Sequence, residues 1–337
     1  FSFGAPQGEG QRTWFCAPQL EPKDHATDFV VALSYNFTVI IYSTKEIVNM
    51  LKIGITSRAL FDLDESHKVY EKFGLKAYRD YQISRENIPL EKGQAFPLVH
   101  KLLKFNDLCE KKLVEVFLLS RNSADTGLRI FNSIQYHGLN IKKAAFCSGS
   151  SPHKYANSFG ANLFLSTELA DCRSSLGCGI ASAKILRSKG KSIKSNQLKI
   201  AFDGDSVIFS DESQIIYDHF GLDAFNKHES ENANKPLSKG PFASFLNEVF
   251  NIQKNFPHID CPIRIALVTA RSSPSHKRVI KTLRNWGIRI DESIFLEGMD
   301  KRDFLKAFEA DIFFDDQIEN CISASKEVLT GHVVNIN

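Results

Sequence analysis

The segment IAFDGDSVIF sets two carboxylates, Asp203 and Asp205, one residue apart directly after a short apolar run. Three further run ends carry chemistry of the same kind. VTAR contributes Thr269, Lys301 follows IFLE, and IFFDD ends in Asp315 and Asp316. An isolated Asp-x-Asp is most often a turn or a helix cap. The ordered series Asp-x-Asp, Thr, Lys, Asp-Asp over four run ends is far more specific. Oxygen donors of this type suit Mg²⁺, which takes one or two carboxylates together with waters or phosphate oxygens. A carboxylate can also serve as nucleophile or as general acid and base. A hydroxyl and an ammonium can hold the oxygens of an anion. Arg271, two residues past Thr269, either reaches such an anion or pairs with an acid.

These residues need strands to carry them. LKIAF (198–202), IRIALVT (263–269), IFLE (294–297) and DIFFDD (311–316) have strand length, and helical patterns over 277–286, 303–309 and 318–329 separate them. Buried strands alternating with helices predict an α/β, Rossmann-like, doubly wound parallel sheet with right-handed crossovers. Ligands in such sheets sit at the carboxyl ends of the strands, where Asp203, Thr269 and Asp315 fall.

The chain also repeats itself. KIGITSRALFDLDES (52–66) matches KIAFDGDSVIFSDES (199–213) at an offset of 147 residues, and PLEKG from Pro89 matches PLSKG from Pro236 at the same offset. After a two-residue shift, FLLSRNS (117–123) falls on ALVTARS (266–272), ANLFLS (161–166) on ADIFFD (310–315), and Cys172 on Cys321. An ordered series of this length predicts two tandem, divergent copies of one folding unit. The first copy has lost the charged set. Thr56 stands for Asp203, Arg58 for Asp205, Ser120 for Thr269, Pro152 for Lys301, and Ser166 and Thr167 for Asp315 and Asp316. The expected layout is a tail at 1–28, a degenerate unit at 29–172, an exposed linker at 173–197 and a catalytic unit at 198–337. That linker is rich in Gly, Ser and Lys, including Lys184, Arg187, Lys189, Lys191 and Lys194. The apolar stretch Phe29 to Tyr42 reads as buried strand.

The order and spacing of the four motifs resemble the haloacid dehalogenase superfamily of phosphotransferases. FDGDSVIFSDES, LVTARSS and IFFDDQ resemble more closely the cytosolic 5′-nucleotidase I family, which dephosphorylates nucleoside 5′-monophosphates, AMP typically. ITSRALF, PLEKGQAFP, NSI and ANLFLS extend the likeness over about 50–330. The resemblance implies a Mg²⁺ held by Asp203, the Asp205 backbone carbonyl and the Asp315/Asp316 pair. It makes Asp203 the nucleophile that forms an aspartyl-phosphate, and Asp205 the acid for the departing 5′-oxygen and later the base for water. Thr269 and Lys301 would hold phosphate oxygens, with Lys306 as the fallback and Arg271 as a further candidate. An insertion at 210–258 would form a small helical cap that selects the leaving group. Phe209, Tyr217, Phe220 and Phe225 are its candidates to face a nucleobase, against the plainer reading that helix-spaced aromatics are core. In the first unit, Arg58 and Arg129 either hold a phosphate-bearing nucleotide effector, or that unit only packs against its neighbour or mediates homo-oligomer contacts.

Composition narrows the rest. Of 337 residues, 43% are hydrophobic and 24% charged, which excludes a disordered chain. Lys plus Arg is 42 against 39 Asp plus Glu, a balance that does not favour nucleic acid or a membrane surface as partner. No apolar run reaches spanning length and no signal sequence is evident. Cys16, Cys109, Cys147, Cys172, Cys178, Cys261 and Cys321 are scattered, so reduced thiols in a cytoplasmic protein are expected. Two rivals stand beside the nucleotidase: a phosphatase for another small phosphomonoester, and a nucleotide-binding scaffold with negligible turnover.

Overall fold

The computed structural model describes residues 31–34, 37–40, 50–108, 110–188 and 197–334. The expected tail at 1–28, Cys16, Cys109 and the basic positions Lys189, Lys191 and Lys194 lie outside the described residues. Within the stretch 29–42, β1 (Val31–Ser34) and β2 (Phe37–Ile40) pair antiparallel, so two strands stand where one was expected.

The remaining strands build one sheet. The first half supplies β3 (Leu51–Thr56), β4 (Val114–Ser120), β5 (Lys143–Phe146), β6 (Leu163–Ser166) and β7 (Ala181–Ile185). The second half supplies β8 (Leu198–Phe202), β9 (Ile263–Thr269), β10 (Glu292–Phe295), β11 (Ile312–Asp315) and β12 (Thr330–His332). Ten strands run in the order β10-β9-β8-β11-β12-β7-β6-β3-β4-β5. Every neighbouring pair is parallel except β7 with β12, which is antiparallel. Strand direction therefore reverses at that seam, and the carboxyl ends of the two halves lie at opposite edges of the sheet.

This arrangement differs from the expected linker. Residues 169–177 form a helix and β7 follows within the stretch 173–197, with Ala181, Ala183 and Ile185 buried. The strand was masked by its lysine and serine and by the basic residues after it. Its role is to join the halves edge to edge, which removes an open sheet edge from each. The packing of the first unit against its neighbour thus takes the form of one continuous sheet. Lys101, in the helix Phe96–Lys104, also crosses between halves and meets Asp311 at 2.7 Å.

Two local features position the site. Apart from Lys199 and Arg264 near their starts, β8 and β9 are buried throughout, which fits strands covered on both faces. Behind their carboxyl ends Phe202, Phe242, Phe245 and Phe314 interlock, with Phe242 and Phe314 centroids 4.8 Å apart. The second feature is the segment PLSKG. Its Gly240 N–H donates to the Ile208 carbonyl at 2.8 Å, and the Ser210 N–H donates to its Ser238 carbonyl at 3.0 Å. A Cβ on Gly240 would lie 2.2 Å from the Phe209 carbonyl oxygen, so only glycine lets the two backbones meet. PLEKG makes the same stitch in the first half, where the Gly93 N–H donates to the Leu60 carbonyl at 2.9 Å.

The stitches also locate a length difference. Four residues, Ser57–Leu60, separate Thr56 from Phe61, which bridges to Lys92. Five residues, Gly204–Ile208, separate Asp203 from Phe209, which bridges to Lys239. The gap-free match of Asp205 to Arg58 does not hold through this turn, because one extra residue sits there. No helix among the described residues is long and apolar enough to cross a membrane.

Candidate active site

Asp203 follows β8 directly, and its N–H donates to the Phe314 carbonyl at 2.8 Å, which fixes its height against β11. Its side chain meets Lys301, whose Nζ lies 2.6 Å from Asp203 Oδ1 and 2.7 Å from Asp315 Oδ2. All three are buried. Asp203, Asp315 and Asp316 bring one carboxylate oxygen each within 4.8 Å of one another. The expected Asp203, Lys301, Asp315 and Asp316 are thus brought together. Lys306, the fallback, is instead an exposed residue paired with Glu327 at 3.1 Å. The strand before Lys301 begins two residues earlier than the IFLE run and ends at Phe295.

Three carboxylates share one ammonium here, and their protonation shows the strain of it. Burial, aided by the charges of Asp315 and Asp316 and opposed by Lys301, pushes the Asp203 carboxyl up to about 8. Burial and then the Asp315 charge push Asp316 up to about 7. Burial would lower Lys301, but Asp203 and Asp315 outweigh it and hold the ammonium above its ordinary value. Such a donor set fits a hard divalent cation, which relieves crowded carboxylates. The two neighbours differ in their ties. Asp315 Oδ1 accepts from the Gln317 N–H at 2.8 Å and Oδ2 is held by Lys301, whereas Asp316 is anchored by its backbone carbonyl, 3.0 Å from His332 Nε2.

Thr269, at the end of β9, is buried, and its Oγ1 accepts from the Arg271 N–H at 3.2 Å. A Cβ on Gly204 would lie 3.3 Å from that oxygen, so the turn after Asp203 runs close against the threonine. The added residue of this turn brings Ser206 to φ 61, a conformation costing a non-glycine residue about 1–2 kcal/mol.

Asp205 is not free. Arg271 grips it in bidentate fashion, Nε to Oδ2 at 2.8 Å and Nη2 to Oδ1 at 2.6 Å. The third nitrogen of the same guanidinium, Nη1, donates to Glu229 Oε2. Of the two readings of Arg271, pairing with acids is the one seen. Glu229 was missed by sequence reading. It lies fully buried on the helix Glu212–Glu231, which is interrupted at Gly221 by φ 78. Its other oxygen accepts from Arg278 Nη1 at 2.8 Å and Ser213 Oγ at 2.9 Å. Burial would raise Glu229, but the Arg271 charge and these hydrogen bonds hold it below the ordinary carboxylate range.

The four aromatics separate. Phe209 is core, 5.6 Å from Trp286. Phe225 is buried beneath the Arg271 guanidinium at 5.2 Å, and Tyr217 stands edge-on to it at 6.2 Å with its own ring half exposed. Phe220 is exposed.

At the matching strand ends of the first half stand Thr56, Ser120, Ser166 and Thr167, with Ser57 Oγ 3.0 Å from Ser120 Oγ. Arg58 is spent on Glu168 at 3.2 Å and Asp64 at 3.8 Å. Arg129 is buried and donates to Gln82 Oε1 and the Ile88 carbonyl. Arg58 and Arg129, for which effector binding was one of two readings, both have acceptors within the chain. The described cysteines, Cys147, Cys172, Cys178, Cys261 and Cys321, are free.

Comparison with known proteins agrees with this geometry. The family described as 5′-nucleotidase matches residues 43–336. Cytosolic 5′-nucleotidase 1B of Homo sapiens is 38% identical over 282 residues, covering 80% of this chain and 46% of the relative. The chain therefore spans about half the length of the curated relative it matches. A solved histidinol dehydrogenase from Elizabethkingia anophelis overlaps 85% of this chain and 54% of its own at 10% identity, with a TM-score of 0.22 that bears on neither fold nor chemistry.

Proposed function

Because the chain belongs to the 5′-nucleotidase family, we propose that it hydrolyses nucleoside 5′-monophosphates to nucleoside and inorganic phosphate in the cytosol, with Mg²⁺ as cofactor. The observation that carries this reading is the buried cluster of Asp203, Lys301, Asp315 and Asp316. A purely binding scaffold has no use for a nucleophile-type aspartate at its centre.

Asp203, the Asp205 backbone carbonyl and Asp316 would hold the ion, with Asp315 positioning Lys301. When bound, the cation would neutralise phosphate charge and keep Asp203 ionised. Asp203 then attacks phosphorus. A bond forms between its oxygen and phosphorus while the P–O5′ bond breaks, and the Asp205 carboxyl passes its proton to O5′. In the second step water adds its oxygen to phosphorus, gives its proton to Asp205, and the bond from phosphorus to Asp203 breaks. Thr269 and Lys301 hold the equatorial oxygens through both steps.

We assign catalysis to 198–337 and read the halves as two divergent copies of a haloacid dehalogenase-type unit. Supporting this are the mirrored strand order, the matched Gly74 and Gly221 at φ 79 and φ 78, and the paired stitches of Gly93 and Gly240. The helix Glu212–Glu231 and the loop after it form the cap. Phosphate release from a panel of nucleoside monophosphates and sugar phosphates, with Mg²⁺ or with EDTA, tests the reading. Turnover of nucleotides that needs Mg²⁺ is expected. Full activity in EDTA, or activity confined to sugar phosphates, would overturn it.

A further inference from the structure

The two halves differ instructively around Glu229. In the first half Gln82 takes the matching place. Its amide oxygen accepts from Arg129 Nη1 at 2.9 Å, and its Nε2 donates to Tyr78 Oη at 3.0 Å, which in turn donates to Asn122. In the second half the corresponding residues are Glu229, Arg278, Phe225 and Arg271. The tyrosine hydroxyl is gone, and Arg271 reaches the carboxylate itself. An amide has one acceptor oxygen and serves one arginine, whereas a carboxylate has two and serves a pair. Glutamate is needed only where a second arginine is present, and that second arginine is the one gripping Asp205.

We propose that Glu229 is a positioning residue for Asp205, acting through Arg271. The inference rests on the assignment of Asp205 as the acid and base above. Arg271 is buried and donates from all three guanidinium nitrogens. With Nη1 fixed on Glu229 Oε2, the Nε–Nη2 edge is presented to Asp205 in one plane, and this sets the plane of the Asp205 carboxylate. Because Glu229 belongs to the helix Glu212–Glu231, the grip also ties that helix to the turn after β8. A group a fraction of an ångström out of line transfers a proton poorly even when the substrate binds well.

The test is Glu229→Gln in the full chain. Its amide oxygen can keep Arg278 and Ser213, as Gln82 keeps Arg129, while its NH₂ faces Arg271 and offers it no acceptor. With Mg²⁺ and whichever nucleoside 5′-monophosphate the parent turns over fastest, kcat should fall about 10- to 100-fold. KM should stay within about threefold, as for a group acting mainly in the transition state. Glu212→Gln, which removes the Arg278–Glu212 pair at 2.6 Å without touching Arg271, should match the parent. A crystal structure of E229Q should show Arg271 no longer bidentate on Asp205. If E229Q does not fold, Arg271→Lys carries the same comparison, since an ammonium cannot grip both acids in a fork. Parent-like kcat in E229Q, an equal loss in E212Q, or an intact Arg271–Asp205 fork in the E229Q crystal overturns the proposal while leaving the nucleotidase reading standing. A parent inactive on every nucleoside monophosphate overturns that reading and this proposal with it.

Discussion

Replacing Lys301 with methionine removes the single ammonium from the centre of the site while keeping the length and apolar body of the side chain. Lys301 is 4% exposed, with Nζ 2.6 Å from Asp203 and 2.7 Å from Asp315. Taking one partner from a buried, hydrogen-bonded charge group typically costs about 3–5 kcal/mol, because the remaining charge is left uncompensated. Here two carboxylates lose their shared ammonium, so the metal-free protein should lose an amount in that range at pH 9, above the value of about 8 at which Asp203 titrates. For a chain of this size each kcal/mol is worth about 1.4 °C, which puts the fall in Tm at about 4 °C or more. Added Mg²⁺ should return part of it, since the ion supplies positive charge to the same oxygens. Turnover should be lost in either case, because the buried Arg271 and Arg278 are already held by Asp205, Glu229 and Glu212 and do not replace Lys301. Thermal unfolding in EDTA and in Mg²⁺, run beside phosphate release, reads all three. A K301M protein as stable as the parent in EDTA, or one that retains turnover, would refute the view that this lysine holds the carboxylate cluster together.

Asp203→Asn should abolish turnover with the fold intact, since the amide keeps the shape but is not an anionic nucleophile; circular dichroism with phosphate release checks both halves, and residual parent-like activity contradicts the mechanism. The metal-free protein should lose stability as pH rises. Asp203 and Asp316 titrate in the fold at about 8 and about 7 against an ordinary 3.8, so the folded chain binds more protons than the unfolded one across that interval. Denaturant unfolding in EDTA at pH 5 and pH 8 should show the drop, and Mg²⁺ should stabilise more at pH 8; a rise in metal-free stability over that range would contradict the crowding of carboxylates. The fragment 198–337 expressed alone should be poorly soluble, since it exposes the β12 edge paired with β7 and strands Asp311 without Lys101. A monomeric, fully active fragment on size exclusion would refute the structural role given to the first half.

Much of the site was legible because its residues sit where apolar runs stop. A buried strand is a local signal, and the residue that ends it inherits a position at the sheet edge; Asp203, Thr269 and Asp315 were found in this way. Glu229 had no such signal. Its partners Arg271 and Arg278 stand 42 and 49 residues further along, and the only trace in the sequence is the glutamine at the matching place in the first half. Arg271 itself was visible, but whether it would meet phosphate or an acid depended on Glu229. The extra residue in the active-site turn was hidden by a compensating loss before Asp211, so that identities on both sides kept one offset. β7 was hidden by composition, since a short strand with a lysine and a serine beside a basic stretch reads as linker. Among the aromatics, periodicity could not separate Phe209 in the core from Tyr217 at the rim, because the turn after Asp203 folds back under PLSKG.

The reversed seam between β7 and β12 bears on the neutral strand ends of the first half. In a side-by-side arrangement with common strand direction, its strand ends would lie along the same edge as Asp203 and could lend residues to the reaction. With direction reversed they lie at the opposite end of the strands, and Thr56, Ser120 and Ser166 are placed away from Asp203. What the first half supplies is an edge partner, a partly buried lysine for Asp311, and the hydrophobic mass behind β3 and β4. Those functions depend on apolar pattern and on stitches such as Gly93 to Leu60, which are retained. A cluster of buried carboxylates costs stability unless a cation offsets it. The neutral Thr56, Ser166 and Thr167 therefore spare the first half the cation that Asp203, Asp315 and Asp316 call for in the second.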